Sequence, residues 1–117
     1  MSRRVEKPWG HEEIWAETDS YVGKMLHITA GHRLSLQHHQ VKDETIRMLS
    51  GIMSLELENS EGEIQTLTME PGMTAHIAPF RKHRMKAETD VVLIEVSTPE
   101  LDDVVRHQDD YGRLDPV

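Results

Sequence analysis

The stretch GHRLSLQHHQVKDETIRMLSG, residues 31–51, packs Gln37, His38, His39 and Glu44 into a segment whose remaining residues read as β-structure. Reading 33–39 and 44–50 as strands joined by a turn at 40–43 makes the arrangement interpretable. Side chains on a strand alternate in direction, so Gln37 and His39 share one face and His38 takes the other. Glu44 opens the next strand, where it can point the same way. An amide oxygen, an imidazole nitrogen and a carboxylate then converge, three donor types that suit a divalent ion. A fourth ligand should come from a neighbouring strand. His83, in FRKHRM, is the first choice and His76, in TAHIAP, the second.

The rest of the chain supports a β-rich reading. Met53, Leu55 and Leu57 alternate with Ser54, Glu56 and Glu58, the signature of a strand with one buried face. EIQTLTM follows the turn residues NSEG and reads as the second arm of a hairpin. VVLIEV, 91–96, is an apolar run of strand length, and YVGKMLHIT, 21–29, is a further strand candidate. Turn signals between these runs (PWG, AGH, SG, EPG, APF) recur at the spacing of an all-β sandwich or barrel. The C-terminal STPELDDVVRHQ differs. Pro99 near a first helical position, early acids and apolar residues at 101, 104 and 105 predict a short helix.

Composition narrows the function. A chain of 117 residues suits one domain, 1–117, with a modest core at 37% hydrophobic and 4% aromatic content. Without cysteine, disulfides, thiolate metal sites and cysteine nucleophiles are excluded, and histidine and carboxylate remain as the strong metal ligands. The net charge of −8, with no basic stripe, argues against nucleic acid and a membrane surface as partners. The opening MSRRVEKPWGHEE lacks the apolar core of a signal peptide, and no apolar run reaches membrane-span length, so the expected location is cytoplasmic.

The same residues match a known pattern. Gly31, the paired-histidine segment, Glu44 and Gly51, with six residues between the last two, resemble the first cupin motif. HIAPFRKHR resembles the second, with Phe80 where a glycine is usual. KPWG, LSLQ-x-H, KDET and DDYGR are similar to the cupin domain of type II mannose-6-phosphate isomerases and its single-domain relatives, from Lys7 to Arg113. That resemblance implies a cupin double-stranded β-helix, or jelly-roll barrel, with the short helical segment at its C-terminus. It implies Gln37, His39, Glu44 and His83 as ligands of one divalent transition metal, Zn, Mn, Fe, Co or Ni. It also implies a small-molecule substrate, with sugar phosphate in first place. His76 or Glu95 would then serve as acid or base, and Arg33, Lys24, His27 and Arg81 would hold the substrate. The leading expectation is a sugar-phosphate isomerase-like enzyme with the metal as Lewis acid. The alternatives are an Fe- or Mn-dependent dioxygenase and a non-catalytic sugar- or metabolite-binding module. A homodimer is expected, because an unpaired sheet edge invites association.

Overall fold

In a computed structural model, residues 2–114 are described, and every regular element among them is a strand. Eleven strands form two antiparallel sheets. One sheet runs in the order β1 (Arg3–Lys7), β2 (Gly10–Glu17), β3 (Val22–Ile28), β10 (Val91–Ser97), β5 (Glu44–Ser50), β8 (Thr74–Ile77). The other runs β11 (Val105–Gln108), β4 (Leu36–His38), β9 (His83–Ala87), β6 (Met53–Glu58), β7 (Ile64–Met69). Strands adjacent in a sheet are mostly distant in sequence, as in β10 between β3 and β5, which is jelly-roll connectivity. No helix among the described residues is long and apolar enough to cross a membrane.

The inner faces are polarised along their length. Reading inward-pointing positions, β5 runs Glu44, Ile46, Met48; β3 runs Lys24, Leu26, Ile28; β9 runs His83, Met85, Ala87. Strand β10 is antiparallel to β3 and β5 and runs the other way, Val91, Leu93, Glu95. All twelve are buried. The apolar ends meet as one core with Met53, Leu55, Met69 and Ile77. The charged ends meet at the opposite end of the barrel, which is where a site can exist.

Most strand expectations survive, with three differences. The segment 33–39 is regular only over Leu36–His38, with an isolated bridge between Arg33 and Lys86. The apolar run 91–96 is two-sided: Val91, Leu93 and Glu95 face in, while Val96 is 49% exposed on the outer surface. Trp9, in the PWG turn, is 2% exposed and sits in the core. The predicted C-terminal helix does not form. Leu101, Asp103 and Val104 make only short-range turn bonds to Pro99, Glu100 and Asp102, and 105–108 pairs with β4 as β11. The reason is competition: strand β4 has a free edge, β-branched Val105 suits it, and the Asp103 carboxylate is occupied elsewhere.

Two turns show why particular residues stand where they do. Gly51 has φ +86°, and a Cβ there would lie 2.1 Å from the Asp90 carbonyl oxygen. Phe80 has φ +66°, the one described non-glycine residue in the left-handed region, and it occupies the position where the cupin pattern has glycine. Its N–H donates to the His39 carbonyl at 2.6 Å, which holds the strained turn in place. Gly51→Ala is expected to lower stability by roughly 1–3 kcal/mol, through backbone strain and the collision with Asp90, measured as a fall in the urea midpoint with unchanged slope.

Candidate metal centre

The charged end of the barrel encloses a cavity of about 200 Å³. That volume suits a small metabolite better than a drug-sized ligand, whose pockets span roughly 300–1,000 Å³. His39, Glu44 and His83 come together on its wall, with candidate ligand atoms all within 4.8 Å of one another. Strand parity puts them there: Glu44 starts β5 facing inward, His83 starts β9 facing inward, and His39 follows β4 on the face opposite His38. Gln37 lines the same cavity and is paired directly with His83 across β4 and β9. His38 points away and stacks against His107 and Phe80.

The hydrogen bonding fits a cation. His39 Nδ1–H donates to the Asp103 carbonyl at 2.5 Å, and His83 Nδ1–H donates to the Arg81 carbonyl at 3.0 Å. Both rings therefore turn Nε2 into the site, the tautomer a metal ligand needs. His39 Nε2 lies 2.9 Å from Glu44 Oε1, and His83 Nε2 lies 3.5 Å from the same atom. A lone pair aimed at a carboxylate oxygen at that distance requires a positive charge between them, a proton or a metal. His83 Nε2 and Glu44 Oε2 are buried without any partner, two donor atoms that a bound ion would satisfy. Imidazole, carboxylate and amide together suit a borderline divalent transition metal.

Behind this cluster lies a buried charge network. Lys42 Nζ is 3.1 Å from Glu95 Oε2 and 4.0 Å from Glu44 Oε2. Lys24 Nζ is 3.3 Å from Glu12 and 3.9 Å from Glu95. Burial and the facing Glu44 carboxylate push the Glu95 carboxyl up to about 7. Burial opposes ionisation of Glu44 too, yet the neighbouring Glu95 carboxyl, the His39 hydrogen bond and the Lys42 ammonium bring it down to about 2. The two carboxyls thus divide the roles, one ionised and one carrying a proton near neutrality. Desolvation lowers His83 to about 4.

Of the expected acid–base and substrate residues, the cavity contains Glu95 and Lys24. His76 is exposed on β8 and hydrogen-bonds Asp43 at 2.6 Å, outside the cavity. Arg33 is exposed and paired with Asp110, His27 lies on the outer face of its sheet stacked on His11, and Arg81 donates to the Asn59 carbonyl. None of these three lines the cavity. Sequence reading missed Glu12, Lys42 and Arg106, which do. Alternation on β2 and β11 could have flagged Glu12 and Arg106. Lys42 had no such signal, because it sits in the 40–43 turn, whose shape is imposed by Asp103. That carboxylate accepts the backbone N–H groups of Gln40, Val41 and Lys42 at 3.1, 2.7 and 2.9 Å.

Comparison with known proteins extends this picture. The sequence model of the family described as mannose-6-phosphate isomerase C-terminal matches residues 1–109. Xanthan biosynthesis protein XanB of Xanthomonas campestris pv. campestris is 30% identical over 116 residues, 95% of this chain and 24% of that protein. Mannose-1-phosphate guanylyltransferase ManC of Salmonella typhimurium is 28% identical over 117 residues, 97% of this chain and 24% of that protein. The chain thus spans about a quarter of the length of these curated relatives. Among solved structures, the capsular polysaccharide assembling protein CapF of Staphylococcus aureus superposes with a TM-score of 0.78 at 16% identity, over 92% of this chain and 34% of CapF. The fold is the cupin fold.

Two outcomes test the site. His83→Ala and Glu44→Ala are each expected to reduce bound divalent metal, by elemental analysis after dialysis, well below the wild-type level. Asp103→Ala, which frees the 40–42 turn and the carbonyl partner of His39, should weaken metal affinity about 10- to 100-fold without removing a ligand. In chelated protein, stability should fall with acid between pH 6.5 and about 4, the window in which the unfolded chain protonates His83 and the folded chain does not. The loss amounts to about 3 kcal/mol, absent in His83→Gln, read from urea midpoints across that range.

Proposed function

The chain belongs to the mannose-6-phosphate isomerase C-terminal family, and on that premise we propose that it binds one divalent transition metal at Gln37, His39, Glu44 and His83 and acts on a phosphorylated sugar as an aldose–ketose isomerase. The metal's identity stays within Zn, Mn, Fe, Co and Ni by donor chemistry. In this reading residues 1–117 act as one domain, in the cytoplasm. The observation that carries the proposal is Glu95, a buried carboxyl raised to about 7 and held against a cluster of metal-ligand type.

Isomerisation moves a proton between adjacent carbons, so it needs one group able both to take and to give a proton near neutral pH. A carboxyl raised to about 7 meets that demand where an ordinary carboxylate does not. When bound, the metal supplies a Lewis acid that polarises the substrate's carbonyl or hydroxyl oxygen. Lys24 lies beside Glu12 and Lys42 between Glu95 and Glu44, so the ionised carboxylates are offset and Glu95 is the group left to carry the proton.

Charge in the cavity suits an anion. Arg3, Lys7, Lys24, Lys42, Arg106 and Arg113 line it against four acids, Glu12, Glu44, Glu95 and Asp102. This cation excess stands in a chain of net charge −8. Arg113 is engaged with Asp109 and Arg3 with Glu17, whereas Arg106 has its Nε buried without a partner. Arg106 is therefore the residue assigned to the phosphate. The acid–base carboxyl weighs against a pure binding module, which needs no such group.

Interconversion of mannose 6-phosphate and fructose 6-phosphate is expected in metal-loaded protein and lost on chelation. Glu95→Gln should lower kcat about 10²- to 10⁴-fold with metal retained, and Arg106→Ala should raise KM with a smaller effect on kcat. Metal-loaded, folded protein that leaves both sugars unchanged would remove the isomerase reading. Oxygen uptake with the Fe²⁺ form would point instead to an oxygenase.

A further inference from the structure

His27 has the chemistry of a site residue, yet it faces away from the cavity. It lies on the outer face of β3, since its neighbours Leu26 and Ile28 are buried. Strand pairing sets it directly opposite His11 on β2, and His11 directly opposite Glu6 on β1. His11 precedes buried Glu12, and Glu6 stands between Val5 and Lys7, which line the cavity. All three side chains therefore project from the outer face, in one row across three adjacent strands. Val92 on β10 comes next in the row.

The two imidazoles lie face to face, with ring centroids 4.2 Å apart and planes within 10° of parallel. Every other histidine ring is hydrogen-bonded within the chain, whereas these two have no hydrogen-bond partner among the described residues. A groove of about 270 Å³ opens beside them, lined also by Gly10, Thr29 and Asp90. The charged groups around the pair are Glu6, Glu13 and Asp90 against Arg4. Arg4 stands opposite Glu13 in the next row and donates from Nε to Glu6 at 2.5 Å. Three carboxylates and one guanidinium leave a surface that attracts a cation. Burial, then the neighbouring His11, hold the His27 imidazole below its usual value, so its lone pair is free at neutral pH.

We propose that His11 and His27 bind a divalent transition ion on this outer face, with Glu6 as third ligand and water completing the shell, at a site separate from the one in the cavity. Two imidazole nitrogens on one tetrahedral ion, each at about 2.0–2.1 Å, lie about 3.3 Å from each other. Parallel rings with centroids 4.2 Å apart need only tilt their edges together to reach that spacing. Glu6 joins by exchanging the Arg4 guanidinium for the ion, and Glu13, directly opposite Arg4, is placed to take the guanidinium over. Two imidazoles and a carboxylate suit Zn²⁺, Ni²⁺ or Cu²⁺ rather than Mg²⁺ or Ca²⁺. The ion would tie β1 to β2 and β3. Strand β1 is at the sheet edge, held by β2 alone, and its inner face gives Arg3, Val5 and Lys7 to the cavity wall. An ion outside thus steadies one wall of the cavity without entering it.

Titration of the chelated full chain with Zn²⁺, followed by calorimetry, should show uptake that His11→Gln and His27→Gln each abolish and His83→Ala leaves in place. Glu6→Gln, which replaces a carboxylate ligand by a neutral amide, should weaken this uptake about tenfold or more. In wild type, the imidazole nitrogen resonances of His11 and His27 should shift together as Zn²⁺ is added. Circular dichroism identical to wild type shows that the outer-face substitutions leave the barrel folded. Zn²⁺ uptake unchanged by both histidine substitutions overturns the proposal. So does a wild type whose His11 and His27 resonances stay in place in excess Zn²⁺, a result that needs no variant to fold. Failure of the cavity site would show instead as a His83→Ala chain that binds like wild type, so the two readings are separately tested.

Discussion

Five charged side chains, Glu12, Lys24, Lys42, Glu44 and Glu95, are enclosed at one end of a small barrel, each at most 9% exposed. Any one of them alone would be a severe penalty, since an isolated buried charge is opposed by several kcal/mol of lost hydration. Together they are tolerable, because every ammonium lies beside a carboxylate and one carboxyl keeps its proton. The arrangement demands that four separate segments (β2, β3, 42–44 and β10) reach the same place in the right register. That demand fixes the barrel's closure at this end more tightly than apolar packing could, because a register slip of one residue would send Glu44, Lys24 or Glu95 to the outer face.

The network also links the cluster of candidate metal ligands to the buried Glu95 carboxyl. Glu44 is held ionised, as a ligand must be, by His39, Lys42 and the proton on Glu95. Glu95 is held protonated by the charge on Glu44. The Glu44–Glu95 pair thus leaves one carboxyl ionised and its neighbour protonated near neutral pH. The surrounding Nδ1 hydrogen bonds to the Asp103 and Arg81 carbonyls set the imidazole orientation before any ion arrives. Asp103 links the outermost layer of this support to the inner one, because its side chain shapes the turn that carries Lys42 while its backbone orients His39.

The two faces of the six-stranded sheet are put to different uses. Its inner face is divided end to end into core and charged cavity. Its outer face carries an apolar strip, Met25 on β3 with Val92, Ile94 and Val96 on β10. A period-two strand pattern writes both at once: in 91–97 the inward set is Val91, Leu93, Glu95, Ser97 and the outward set is Val92, Ile94, Val96. An apolar run that suggests a strand buried on both sides is here a strand with one buried and one outward face.

By itself the sequence determined the β class and most strand positions and offered four candidate ligands, because alternation, turn glycines and donor chemistry are local properties. Gln37 and His39 share a face by parity, Glu44 can join them across the turn, and His83 is offered as the fourth by the resemblance to the second cupin motif. Tertiary structure decided what local patterns do not encode. The segment after Pro99 has helical signals, yet the open edge of β4 and the 40–42 amides recruit it as turn and strand. His76, Arg33, His27 and Arg81 have the right chemistry and the wrong direction, while Lys42, in an unremarkable turn, is turned inward by an aspartate that lies 61 residues further along the chain. Which polar residue meets which depends on how distant segments pair, and that is settled only when the whole barrel closes.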